Sequence, residues 1–207
     1  MKYLLSHFDK LKVLFLQHMI LTYFSVFVAI ALALPVSLLI LKNKKVKIIV
    51  LNGLNIIYTI PAIAMLSILV PYFGLGFKSS LIALVFYAQM ILVRNITTAI
   101  DDIKPEIIEA AKGMGMSKWQ RMYKVMIPIA LPVILAGIRI ATVTLISLAS
   151  IAAFINGGGL GEIILEGIRT DNSGKIAAGS IALIALMLIN EGGYRILEYF
   201  YNKVNHS

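Results

Sequence analysis

The chain contains no cysteine, which excludes a disulfide framework and any thiolate metal site. Its three histidines, His7, His18 and His206, lie near the two ends and form no ligand pair at helical spacing. Acids are scarce, with ten Asp and Glu against nineteen Lys and Arg. Those outside the loops are few, and no Ser, His and Asp are paired by spacing for covalent catalysis. There is no Gly-x-x-x-x-Gly-Lys-Ser/Thr loop. Gly174-Lys175-Ile176 lacks both the hydroxyl and the upstream glycine, so the chain has no evident way to use ATP. No internal repeat, low-complexity tract or soluble domain interrupts it.

What the chain has in abundance is apolar surface. Of 207 residues, 59% are hydrophobic, and the mean hydropathy is +0.89. Soluble domains sit at roughly 45–50% apolar, so the chain is a membrane protein. A net charge of +9 would suggest nucleic acid in a soluble protein. Here the basic residues flank apolar runs, as they do beside lipid on the cytoplasmic side of membrane spans, and no nucleic-acid partner is expected.

A helix needs about 20 mostly apolar residues to cross a bilayer core of about 30 Å. Five segments qualify, at about 18–41, 48–70, 79–100, 127–155 and 176–200. The expected fold is therefore all-α, with a membrane domain over 18–200, an amphipathic surface segment over 1–17 and a short tail over 201–207. The first span resembles a signal peptide, with Lys2, Lys10 and Lys12 before it and Ala31-Leu32-Ala33 within it. Its apolar run continues to Leu41 and ends in lysines, so a retained span is the better reading. Asn190 and Glu191 interrupt the fifth span, whose end is expected to emerge near them.

An odd number of crossings puts the termini on opposite sides. The loops at 42–47 and 94–124, with the C-terminal tail, carry twelve Lys and Arg, and the other side carries six. The positive-inside rule then places the N-terminus outside and the C-terminus in the cytoplasm.

The longest polar stretch, residues 105–132, lies between the third and fourth spans. Pro105 suits a first helical position, where a missing N–H costs nothing. Asp101, Asp102 and Glu106 suit the positive end of the helix dipole. Ile107, Ile108, Ala111 and Met114 can share one face, and Gly113 and Gly115 stop the helix or allow close backbone approach. The expectation is a stub of two to three turns across the cytoplasmic surface. Such a stub is either an amphipathic connector on the membrane or a socket in which Ala110, Ala111 and the glycines leave room for a partner's side chains.

This loop resembles that of the permease subunits of bacterial ABC importers of type I. Their pattern is Glu-Ala-Ala, three residues, Gly, nine residues, then Ile-x-Leu-Pro. This chain reads Glu109-Ala110-Ala111, Gly115, then Val125-Met126-Ile127-Pro128, with Val125 and Ile127 as conservative departures. The resemblance extends over about residues 18 to 200. It implies that Glu109, Ala110, Ala111, Gly113, Gly115 and Met116 form the coupling loop, docked in a cleft of a separate ATPase subunit. A dimer of that subunit would use ATP and Mg, while this chain would bind no cofactor and be no enzyme. It also implies a second permease, identical or homologous, and a bacterial cell membrane.

Within the apolar runs, Pro35 and Pro61 each delete a backbone hydrogen bond, marking either packing kinks or hinges along a moving pathway. Tyr58-Thr59-Ile60-Pro61-Ala62 is a polar patch in the second span. Asn156-Gly157-Gly158-Gly159-Leu160-Gly161 is either a mobile outer loop or a cap on the pathway. Arg139 is costly at membrane depth. It belongs to a pathway or gate, or sits shallower if its helix begins near Trp119. Glu191 is expected too far toward the cytoplasmic end to pair with it. Candidate pathway residues are thus Tyr58, Pro61, Arg139, Asn156 and Gly158.

A narrower resemblance adds the Gly74-Leu75-Gly76 loop, Arg94-Asn95, Lys112-Gly113-Met114-Gly115-Met116, Leu131–Arg139 and Ala152-Ala153-Phe154-Ile155. Together with the Tyr58 patch they resemble permeases for glycine betaine, carnitine and choline. The resemblance implies osmoprotection, and a binding protein or lipoprotein outside the membrane that cages the quaternary amine. That protein is expected on another polypeptide, since the chain stops at Ser207. The alternatives are another small solute, such as an amino acid or ergothioneine, an ATP-independent secondary transporter, or a non-transporting assembly subunit. The charge bias yields a direct expectation: a cysteine at Ser117 should be labelled by an impermeant maleimide only from the cytoplasm, and one at Ser173 only from outside. Reversed labelling would overturn the orientation.

Overall fold

The computed structural model describes residues 7–205, and every regular element among them is helical. In chain order these are α1 (Phe8–Ile40), α2 (Lys44–Thr59), α3 (Ala62–Phe73), α4 (Phe77–Asp101) and α5 (Pro105–Gly113). Then come α6 (Lys118–Arg121), a π-helical turn (Met122–Met126), α7 (Ile127–Ala149), a 3-10 turn (Ile151–Ile155), α8 (Gly161–Arg169) and α9 (Ser173–Asn205). Four stretches are long and apolar enough to cross a membrane: α1, α4, the continuous run Lys118–Ala149, and α9. The pair α2 and α3 makes a fifth crossing in two pieces. Lys47 in the first turn of α2 pairs with Asp101 at the end of α4. After α3, the Gly76 N–H donates to the Ile155 carbonyl at 2.7 Å, beyond the opposite end of α7. The chain is a multi-pass membrane protein whose first and last helices, α1 and α9, begin at the same end of the bundle, where Lys10 and Lys175 share Glu166.

α4 is the axle. Ala83, Ala88, Leu92, Val93 and Ile96 are buried between α1 and α7. Facing them are Leu21, Ala29 and Ala33 of α1 and Ala141, Leu145 and Ala149 of α7, all buried. Hydrocarbon gives helices no hydrophobic reason to associate, so small side chains that let backbones approach do much of that work. At Gly137 the approach is so close that a Cβ would lie 2.6 Å from the Asn95 Cβ. One buried amide is paired across the same seam, where Gln89 donates to the Ala29 carbonyl at 3.1 Å.

Several expected boundaries shift. The first helix starts at Phe8 and runs unbroken to Ile40, through Pro35, so residues 8–17 continue the first span rather than forming a separate surface helix. Residues 1–6 of that proposed segment lie outside the described residues. The second span is no kinked helix. It breaks at Ile60-Pro61 and turns by 96°. The fourth helix begins at Lys118 and ends at Ala149, the rest of the expected span being the 3-10 turn. The last stays helical from Ser173 to Asn205, through Asn190 and Glu191. Its 33 residues make a rod of ~50 Å at 1.5 Å per residue, well beyond the bilayer core.

The break at Pro61 is held from inside. Proline leaves no N–H to continue the ladder, and Ile60 is extended, with ψ 127. Its freed carbonyl accepts from the buried Tyr87 hydroxyl. Thr59 caps locally, its hydroxyl donating to the Ile56 carbonyl at 2.7 Å. Tyr87→Phe should leave that carbonyl without its partner and cost about 1–3 kcal/mol, read as a lowered Tm in detergent, whereas Tyr72→Phe on the exposed face should change nothing.

Candidate functional site

The loop between α4 and α7 is built as a rigid elbow. α5 starts on Pro105 and runs nine residues. It ends in a Schellman closure: the Met116 N–H reaches the Ala111 carbonyl at 3.2 Å and the Gly115 N–H reaches the Lys112 carbonyl at 2.9 Å. That geometry requires a left-handed residue, and Gly115 supplies it at φ +77 without the Cβ penalty. The next helix opens at once with a capping box, in which Ser117 Oγ accepts from Gln120 N–H and Gln120 Oε1 accepts from Ser117 N–H. Arg121 adds a bond from its guanidinium to the Met116 carbonyl at 2.7 Å.

The π-helical turn that follows has a local cause. In an α-helix, the Pro128 ring would press on the Lys124 carbonyl and its missing N–H would orphan it. One widened turn, closed by the Ile127 N–H on the Met122 carbonyl, lets the helix pass the proline unbroken.

Exposure corrects the expected socket. Ala111 is only 1% exposed and faces the protein's own interior. Its smallness lets α5 pack on its own chain, because the Schellman turn folds Met116 back over it. Glu109, Ala110, Gly113, Met114 and Gly115 are exposed, and Met116 is half-buried. The expected common face of Ile107, Ile108, Ala111 and Met114 is likewise split, with Met114 68% exposed.

At the opposite end of the bundle, the glycine run is gripped by α1. Asn156 adopts the left-handed region at φ 58 and ends the 3-10 turn. Gln17 Oε1 accepts the Gly159 N–H at 3.2 Å. His18 is fully buried, its Nδ1 accepting the Leu160 N–H at 3.3 Å while Nε2 sits 2.9 Å from the Ile146 carbonyl. Those partners fix the tautomer as Nε2–H. At Gly159, φ is +85 and a Cβ would meet His18 Nδ1 at 2.8 Å. Gly158, at φ +81, lies against Gln17. Below the run, Glu166 of α8 bonds Lys10 of α1 at 2.8 Å and Lys175 of α9 at 2.7 Å. Those two ammonium groups, Lys10 first, hold its carboxyl down to about 2. The clamp is therefore intact above the ordinary carboxylate range and loosens only as pH falls toward 2.

Arg139 is not alone. Its guanidinium pairs with both oxygens of Glu191, by a 2.8 Å bond from Nε and a second contact from the terminal nitrogen, and reaches Glu198 at 3.3 Å. Arg195 adds a bond to Glu191 at 3.1 Å. The expectation that Glu191 lay at the wrong depth is thus corrected. Depth was counted from span ends, but α9 overshoots the bilayer and slides along α7. The pairing sits in a polar ladder between these helices, with Thr142 beside the Tyr194 hydroxyl at 3.0 Å and Tyr201 donating to the Pro128 carbonyl at 3.3 Å.

The candidate pathway residues therefore fall into three places. Tyr58 and Pro61 meet at the break, where Tyr58 packs edge-on to Tyr87 at 6.0 Å. There Ala62, Leu66, Tyr87, Leu148 and Ala152 enclose a void of about 10 Å3, room for one water at most. Asn156 and Gly158 lie in the glycine run. Arg139 belongs to the α7–α9 ladder, and among the described residues no hydrogen bond or ion pair joins it to the other four. Sequence reasoning missed Gln17 and His18. A polar pair in an apolar helix, with a glycine run elsewhere needing donors and acceptors, was the available signal. Among the described residues, no three His, Asp or Glu could hold a metal ion together.

A family model described as "Binding-protein-dependent transport system inner membrane component" matches residues 19–205. The carnitine transport permease protein OpuCB of Listeria monocytogenes is 34% identical over 183 residues, 88% of this chain and 84% of that protein. The osmoprotectant import permease protein OsmW of Salmonella typhimurium is 36% identical over 192 residues, 90% of this chain and 89% of that one. Among solved structures, the MetNI methionine ABC transporter in an inward-facing conformation superposes with a TM-score of 0.82 at 24% identity, over 89% of this chain and 93% of that chain. At that identity it speaks for the fold.

Removing one member of a partly buried charge pair strands the other, while removing both does not. Arg139→Leu should lower Tm by several degrees, and Arg139→Leu/Glu191→Leu should recover most of the loss. An unrecovered double variant would show that the pair is not the relevant contact.

Proposed function

The chain belongs to the family of binding-protein-dependent transport system inner membrane components, and on that premise we propose that it is the permease of an ATP-driven importer for quaternary-amine compatible solutes. Glycine betaine, carnitine and choline are the substrate class, and osmoprotection the use. The relatives named above are permeases for carnitine and for osmoprotectants, and they align along most of this chain. The observation that carries the mechanism is the elbow at 105–126. A separate ATPase subunit, binding ATP and Mg, presses on the exposed face of α5 that carries Ala110, Gly113 and Met114. The Schellman closure and the capping box leave no loose joint between α5 and α6, so displacement of the stub passes into the long fourth helix.

The charge bias supports an orientation with this elbow in the cytoplasm of a bacterial cell. The glycine run and α8 then face outward, toward a separate binding protein that delivers the solute. Two permeases, identical or homologous, would pair around one pathway and offer two stubs to two ATPase subunits. The break at Pro61 and the glycine cap suit the wall and mouth of that pathway, for backbone freed from a helix is tolerated where it is satisfied internally or lines a cavity.

Proteoliposomes holding permease, ATPase and binding protein should take up radiolabelled glycine betaine, carnitine or choline only with ATP. Uptake without ATP, or without the ATPase, would sink the mechanism. ATP-driven uptake of an amino acid or ergothioneine and none of these amines would refute the substrate alone. Ala110→Arg should keep expression and Tm but lower uptake at least about tenfold, because an unpaired charge forced into an interface costs more than the ~1.4 kcal/mol that tenfold represents. Ala111→Arg should instead lower expression and Tm, because that side chain is inside.

A further inference from the structure

A cleft of about 940 Å3 opens between the end of α1, the end of α4, one face of α5 and the α6–π segment. Its floor and its rim differ in chemistry. Pro35, Leu38 and Leu39 line it from the last two turns of α1, part of a helix apolar enough to cross the bilayer. Lys42, Lys112 and Lys118 line it from three different elements. All three lysines are exposed, and among the described residues none forms an ion pair. Of the two carboxylates along the cleft, Asp101 is already committed to Lys47, which leaves Glu109 alone against three ammonium groups. Trp119 and Tyr123 form one wall, stacked at 5.9 Å with 13° between their planes, and they are 66% and 58% exposed.

We propose that this cleft binds one anionic phospholipid, with its phosphate among Lys42, Lys112 and Lys118 and its acyl chains along Pro35, Leu38 and Leu39. Each part of the site fits one part of that molecule. A free phosphate would satisfy the lysines and leave the apolar floor wet. A zwitterionic lipid would cover the floor and bring no net charge to the rim. Basic pockets between helices at a membrane surface hold anionic headgroups, and a Trp–Tyr pair at the water boundary is where amphipathic rings settle. The faces of α5 do not compete. Pro105, Ile108, Glu109 and Lys112 line the cleft, while Ala110, Gly113 and Met114 are not among its lining residues. A lipid and a docked ATPase could thus hold the same stub at once. The lipid site does not depend on the substrate proposed above.

Trp119 is the chain's single tryptophan, so its fluorescence reports this cleft alone. The full chain would be reconstituted in phosphatidylcholine proteoliposomes holding brominated phosphatidylglycerol or brominated phosphatidylcholine in increasing mole fraction. Quenching by the anionic lipid should reach half-maximum at a mole fraction lower by on the order of tenfold, since the three lysines attract an anionic headgroup and Glu109 offsets part of that attraction. Lys42→Gln/Lys112→Gln/Lys118→Gln should abolish the preference, and Lys78→Gln at the far end should keep it. Equal quenching by both lipids would overturn the assignment, as would a preference that survives the triple variant. No quenching by either lipid, with a blue-shifted Trp119, would show that protein fills the cleft and would overturn it too.

Discussion

In hydrocarbon a backbone amide or carbonyl has no water to turn to, and each one left unpaired costs several kcal/mol. Most of what is irregular in this chain answers that constraint. Where Pro61 breaks the second span, Tyr87 reaches across from α4 to take the freed carbonyl. Where Pro128 would leave an orphan in the fourth helix, the backbone widens by one residue and continues. Where the glycine run leaves regular structure, Gln17 and His18 supply the missing acceptors from a neighbouring helix. Each departure from the helix is matched to a side chain or a turn that settles its account, and those departures are where the pathway and coupling parts are proposed.

Charge obeys the same rule with higher stakes. Arg139 does not sit in the bundle as a lone cation. It is held by two carboxylates of α9, one of them shared with Arg195. α9 joins α1 and α8 in one small apolar cluster through Ala178, Ala182 and Leu183, and is otherwise lightly packed, with 22% of its most apolar stretch buried. Its place against α7 therefore rests on polar contacts more than on apolar interlock. Polar contacts of this sort are directional, so they fix the vertical offset between two long helices that hydrophobic packing would let slide.

Length and hydropathy made five crossings legible in the sequence, and the loop motif made the elbow legible. Pro105 at the helix start and Gly115 at its close are local signals, and the structure places both as such. What could not be seen was whatever depends on rotation or offset. Ala111 reads as small and available, yet a turn of the stub puts it inside. Glu191 reads as too near the cytoplasmic end for Arg139, because span ends counted along the chain say nothing of how far one helix overshoots another. Pro35 and Pro61 look alike in sequence. The first lies in a helix that continues to Ile40, while the second is followed by a 96° turn, and the difference lies with Tyr87, a residue of another element.

The widened turn at Met122–Met126 also carries a geometric consequence. A π turn is an α-helix with one residue too many, and one residue amounts to about 100° of rotation at 3.6 per turn. The azimuth of α5 about the axis of α7 is therefore set by a single inserted residue. A helix without it would point the same stub toward a different neighbour. The aim of the whole elbow is thus indexed by chain length rather than by any one contact, so that a one-residue deletion there would re-aim an otherwise unchanged surface.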